Sequence, residues 1–167
     1  RHQRKATAVA FGIVRNHEDA REVVQDAFVR VYKHLGDFAG QASFSTWLYR
    51  IVVNLAIDLL RRRSPGTAVE LDDQTNTEGA AQELVPFRGE GDPLATLDRK
   101  RLADAMQAAL DALPPYHRAV ILLRELEGMS YQEIATTMGI SKGTVMSRLF
   151  HARRKMQKLL RERLGDE

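Results

Sequence analysis

The 167-residue chain contains no cysteine. That excludes disulfides, thiolate nucleophiles and cysteine-ligated zinc, and it fits a reducing cytosol. Long hydrophobic runs are also missing. No apolar stretch approaches the roughly 20 residues that a membrane-spanning helix needs, and none reads as a secretory signal. The five histidines, His2, His17, His34, His117 and His151, are scattered with no i,i+4 pair. There is no H-E-x-x-H, no P-loop and no G-x-S-x-G, so metal-assisted and nucleophilic catalysis find no footing. The chain is therefore expected not to be an enzyme, and to need no cofactor, metal or small-molecule substrate. Strand-like alternation and internal repeats are absent as well. The first residue is Arg1 rather than Met, and a further N-terminal piece is expected to precede it.

What is present is ordinary in amount and uneven in placement. Hydrophobic residues make up 44% and charged residues 28%, usual for a globular protein. The net charge is only +3. Residues 1–64 hold 11 Lys/Arg against 6 Asp/Glu, residues 65–95 hold 1 against 7, and residues 96–167 hold 13 against 9. Two basic blocks flank an acidic one, a pattern that suggests polyanion binding at both ends and something different between them. The middle block, PGTAVELDDQTNTEGAAQELVPFRGEGDPLA, is rich in Gly, Pro, Thr and acid and shows no sustained period. It is expected to be a flexible linker between domains at 1–64 and 96–167. Its GEGDPL lacks the third glycine and the preceding strand of a dinucleotide fingerprint.

On both sides of the linker the periodicity is helical, so the fold class is all-α: two small helical domains. Val23, Val24, Ala27, Phe28, Val31 and Leu35 recur at three- and four-residue spacing. Asn16 is placed to cap that helix and Gly36 to end it. A short loop, DFAGQAS, precedes a helix from about 44 to 63, capped by Ser43 or Ser45. A helix carrying Leu102, Ala105, Met106, Ala109, Leu110 and Leu113 stops at Pro114-Pro115. Another runs from about 116 to 127, ending at Gly128.

Three stretches carry functional signals. The first is SYQEIATTMGISKGTVMSRLFHARRKMQKL, from Ser130. Ser130 and Glu133 form a capping box, Gly139 suits a sharp turn, and Ser141 can cap the next helix. With Ala135 small where two helices cross steeply, this is a helix-turn-helix plan. The outward residues of its second helix read as Lys142, Thr144, Ser147, Arg148, His151 and Arg154. Such cations neutralise phosphates, and arginine reads guanine edges. The bland alternative is an amphipathic helix with a solvated basic face. The second signal is in the helix at 44–63. Leu48, Ile51, Val52, Leu55, Ala56 and Leu59 share the core arc, while Arg50, Asn54, Asp58 and Arg61 share the opposite one, with Trp47 beside Asn54. An aromatic, an amide and arginines on one exposed face suit DNA that is opened as well as bound. Against that, Trp47 can be a core-edge residue, and Arg61, Arg62 and Arg63 a helix-end charge cluster. The third signal is the patch Asp19, Glu22, Gln25 and Asp26. It repels DNA and can dock a protein, although acid near a helix N-terminus is also simply favourable.

Together, DAREVVQDAFVRVYKHL, DFAGQASFSTWLYRIVVNLAIDLLRRR and LPPYHRAVILLRELEGMSYQEIATTMGISKGTVMSRLFHARRKM resemble the extracytoplasmic-function sigma factors, small members of the sigma-70 family. The resemblance covers nearly the whole chain outside the linker. It implies a sigma-2-like domain that holds core RNA polymerase and opens the −10 promoter element, and a sigma-4-like domain that reads the −35 element. Asp19, Glu22, Gln25, Asp26 and Phe28 then face the polymerase. Phe38, Ala39 and Gly40 belong to the loop that captures a flipped −10 base, and Asn54 matches the −10 reading position, with Trp47, Arg50, Arg61 and Arg62 nearby. On the −35 helix lie Lys142, Thr144, Ser147, Arg148, Phe150, His151 and Arg154. Met146 and His151 stand where many relatives carry Arg or Lys, which implies two weaker phosphate or base contacts on the −35 helix. The resemblance further implies an anti-sigma factor that clamps both domains, and a cytoplasmic protein that joins the nucleoid when active and is held at the membrane when an anti-sigma factor anchors it there. As a coil the linker spans about 30 Å, and stretched about 100 Å. Promoter elements two duplex turns apart need about 70 Å, so an extended acidic linker in a basic polymerase channel reaches. A stand-alone helix-turn-helix regulator is the main rival. It explains residues 130–160 but not the aromatic-basic first domain. A protein that only sequesters a partner is the other, and the basic faces count against it.

Overall fold

A computed structural model describes residues 2–63 and 93–165. Among these, every regular element is a helix: α1 (Gln3–Val14), α2 (His17–His34), α3 (Phe44–Arg63), α4 (Pro93–Asp111), α5 (Pro115–Glu125), α6 (Tyr131–Met138) and α7 (Lys142–Leu164). None of them is long and apolar enough to cross a membrane. The expected linker at 65–95 lies outside the described residues except for its last three, which already belong to α4.

Local chemistry explains the boundaries. The Asn16 side chain accepts from the backbone N–H groups of Glu18 and Asp19, starting α2 sharply. Ser43, not Ser45, caps α3: its Oγ accepts from the Thr46 N–H at 3.1 Å. Gly36 does not end α2 in a left-handed turn. The chain tightens instead into a 3-10 turn over Leu35–Asp37. The left-handed glycine of this region is Gly40, in the loop. Pro114 and Pro115 separate α4 from α5, with Pro115 inside the first turn, where its missing N–H costs nothing.

Helices α1, α2 and α3 pack as one bundle and α4 to α7 as a second. The two bundles are pressed together, with α1 and α3 of the first against α5 and α6 of the second. One continuous apolar core therefore runs from Val9, Ile13, Leu48 and Val52 to Val120, Leu123, Ile134 and Leu149. Gly12 is buried at the seam, and a side chain there would run into Leu122. The sequence periodicity marks the core face of each helix, yet Leu35 and Met106, counted among the apolar stripes, are exposed.

Candidate nucleic-acid and polymerase interfaces

Helices α6 and α7 form the helix-turn-helix as its capping residues require. The Ser130 Oγ accepts from the Glu133 N–H at 3.2 Å, and the Glu133 carboxylate accepts from the Ser130 N–H at 2.7 Å. Those bonds hold the Glu133 carboxyl below the usual range. Gly139 takes φ 66° to end α6. The Ser141 Oγ accepts from the Thr144 N–H at 3.0 Å to start α7. Ile134, Ala135, Val145 and Leu149 are buried between the two helices. Lys142 and Arg154 are exposed on α7, and Thr144, Ser147, Phe150 and His151 are half-buried. Arg148 is not outward: it is 6% exposed, and its guanidinium lies 4.9 Å from the centroid of the Tyr116 ring. A cation on that face of the helix finds an aromatic partner inside the fold, which the wheel alone did not reveal.

Helix α3 presents the expected face. Arg50, Asn54 and Asp58 are exposed, and Trp47 is half-buried beside them. Trp47 is a core-edge residue whose ring also meets the loop before α3. It packs against the core, and its ring stacks on Phe38 at 5.0 Å between centroids with 29° between planes. Phe44 closes the cluster edge-on to Trp47 at 6.0 Å. A cavity of about 380 Å³ opens here, lined by Phe38, Ala39, Gly40, Trp47 and Arg50 together with Thr136 and Thr137 of α6. Ala39 and Gly40 are exposed at its edge. The helix-end arginines divide. Arg61 donates to the Tyr116 hydroxyl across the seam, Arg62 lies along its own helix with Nε 3.4 Å from the Asp58 carbonyl, and Arg63 pairs with Asp19.

That pairing changes the reading of α2. Asp19 is 6% exposed and bound by Arg63, so it braces α2 against α3 rather than joining an outward patch. Glu22, Gln25 and Asp26 are exposed and Phe28 is half-buried. Next to them, off the core stripe, Val29 and Tyr32 are exposed and line an open groove of about 800 Å³ with Arg21, Val24, Gln25 and Phe28. The signal was legible: Gln25, Val29 and Tyr32 form a second stripe at i, i+4, i+7, off the core face. The buried Arg118 donates to the carbonyls of Ile13 and Leu113, both at 3.0 Å.

An aromatic platform with a basic, amide-bearing helix in one domain and a capped helix-turn-helix in the other define a class: a two-domain DNA-binding transcription factor. The family comparison narrows it. Residues 1–65 match sigma-70 region 2, and residues 103–156 match sigma-70 region 4. The chain is 34% identical over 171 residues to the RNA polymerase sigma-H factor of Pseudomonas aeruginosa, covering 99% of this chain and 86% of that one. It is 39% identical over 152 residues to the ECF RNA polymerase sigma-E factor of Escherichia coli K12, covering 86% and 76%. Among solved structures, it resembles the sigma factor RpoE of Bartonella quintana, crystallised with the anti-sigma factor NepR. The TM-score is 0.68 at 26% identity, over 96% of this chain and 92% of that one. It also resembles CnrH in complex with the cytosolic domain of CnrY, with TM-score 0.58 at 30% identity, over 96% and 81%. The chain belongs to the sigma-70 family as an extracytoplasmic-function sigma factor, an alternative sigma factor that directs transcription initiation.

Proposed function

We propose that this sigma factor grips core RNA polymerase with the outer face of α2, docks the −35 duplex with α7, and captures unpaired −10 bases between the 38–43 loop and α3. It supplies specificity and strand capture, and the polymerase supplies the chemistry. The observation that carries this reading is the Phe38–Trp47 stack at the mouth of a cavity lined by Arg50, with Asn54 exposed one turn further along α3. Aromatic faces accept unstacked bases, an exposed amide reads base edges, and a guanidinium holds the backbone. On α2 the contacts are Glu22, Gln25, Asp26 and Phe28, joined by Val29 and Tyr32: apolar anchors ringed by acid, suited to a protein rather than to DNA. On α7, Lys142 and Arg154 hold phosphates while Thr144, Ser147, Phe150 and His151 face the groove. The protein acts in the cytoplasm, and an anti-sigma factor that clamps both domains restrains it. The similarity to two sigma factors solved with such partners supports that last step.

The test is transcription from a promoter library by purified bacterial core polymerase with and without the chain. Transcripts that depend on both chain and sequence support the reading. Tight binding to a duplex site without polymerase, and no new transcripts, would make it a stand-alone regulator. Asn54→Ala is expected to change the selected −10 bases while leaving polymerase affinity unchanged. A loss of polymerase binding would remove Asn54 from the −10 role.

A further inference from the structure

The first two turns of α7 carry no exposed arginine. Arg148 is turned inward onto Tyr116, and Arg153 donates to the Glu125 carboxylate at 2.7 Å. The first freely exposed arginine, Arg154, stands about 18 Å along the axis from Lys142 at 1.5 Å per residue, past the turns that a recognition helix inserts between base edges. Arginine-to-guanine reading is therefore missing where bases are read.

An apolar strip stands in its place. Gly143, Met146, Ser147 and Phe150 fall at i, i+3, i+4 and i+7, on one face. Met146 is 43% exposed, while its neighbours Val145, Leu149 and Ala152 are buried. Phe150 is half-buried. Gly143 is exposed and carries no side chain, and a Cβ there would meet only the Ser141 Oγ at 3.7 Å, so the backbone can approach the base pairs closely. In the major groove the one apolar feature that distinguishes a base is the C5-methyl of thymine. A thioether is flexible and polarisable enough to settle on it.

Resting on the assignment of α7 to the −35 element, we propose that Met146 reads a thymine methyl group, so that this protein's −35 site is specified by thymine at the position where an arginine would select guanine. Phe150, one turn on, continues the same apolar surface.

The experiment uses holoenzyme assembled from the full chain and core polymerase, with a promoter recovered from the library. Each −35 thymine is replaced in turn by uracil, which differs only in lacking the methyl. One replacement is expected to weaken binding about fourfold, the affinity equivalent of one buried methyl group. The penalty should vanish for Met146→Ala, whose exposed position tolerates the change, and persist for Met146→Leu. Reselection with Met146→Arg should exchange that thymine for guanine. Uracil tolerated at every position, or penalised equally in wild type and Met146→Ala, overturns the proposal while the assignment of α7 stands. A holoenzyme indifferent to scrambling of the whole −35 element overturns both.

Discussion

Individual side chains in this protein divide between holding the fold and facing a partner, and charge type does not predict which. Asp19 and Asp26 are both acidic and both on α2, one turn apart twice over, yet only Asp19 is buried and paired with Arg63. Removing a charge-assisted hydrogen bond of this kind costs about 2 kcal/mol. Asp19→Asn is therefore expected to lower the urea midpoint of the folded chain. Glu22→Ala and Asp26→Ala, on the solvent side, should leave the midpoint unchanged and weaken the chain's affinity for core polymerase. Equal loss of stability in all three would mean that the patch is structural throughout. Arg148 belongs with Asp19. The aromatic partner of its guanidinium, Tyr116, comes from another helix.

At the scale of elements, much was legible in the sequence because caps are local chemistry. Asn16, Ser130 with Glu133, Gly139 and Ser141 each act within four residues of themselves, and each does in the structure what its type and spacing require. The exposed face of α3 was legible for the same reason, since a helix wheel needs only its own residues. What escaped depends on contacts distant in sequence. Arg148 looks outward until Tyr116 arrives from α5, and Asp19 looks like a docking residue until Arg63 arrives from α3. Gly36 looked like a helix stop, but the chain needed a further 3-10 turn before reversing at Gly40. The capping box yields a pH prediction with a definite sign. The Glu133 carboxyl is held low in the folded state, chiefly by the Ser130 backbone N–H. Its contribution is thus full above the ordinary carboxylate pKa and fades as pH falls through the lowered folded value. Ser130→Ala should cost about 1 kcal/mol near neutral pH. Glu133→Gln should flatten the acid limb of the stability profile in the lower carboxylate range, measured by urea unfolding at stepped pH. An unchanged acid limb would mean that the box contributes nothing to stability there.

The whole molecule adds what neither domain carries alone. Across the seam Arg118 donates to the Ile13 carbonyl, Tyr49 donates to the Glu127 carboxylate at 2.5 Å, and Arg15 pairs with Asp111. Burial and the neighbouring Arg15 work against the Arg118 charge, and Asp111 partly offsets them. The seam also takes up two arginines that the sequence places on DNA-binding faces. Tyr116 receives Arg61 from α3 and Arg148 from α7, while Thr136 and Thr137 wall the cavity beside Phe38 and Trp47. Helices packed this closely do not span two promoter elements about 70 Å apart, so the engagement of both elements proposed above requires the seam to part. The seam's strength then sets how much binding energy is spent on opening. Arg118→Met keeps the bulk of the side chain but leaves the carbonyls of Ile13 and Leu113 without their donor, at about 1–3 kcal/mol each. Gly12→Val forces Leu122 away by sterics alone. Both variants are expected to raise the radius of gyration in small-angle scattering while helix content by circular dichroism stays constant. Both should also bind a pre-melted −10 strand more tightly than the parent chain does. An expanded chain with unchanged strand affinity would show that the seam does not guard the Phe38–Trp47 platform. A loss of helix content in Arg118→Met but not in Gly12→Val would assign Arg118 to the stability of its own domain, and leave Gly12 as the cleaner measure of the seam.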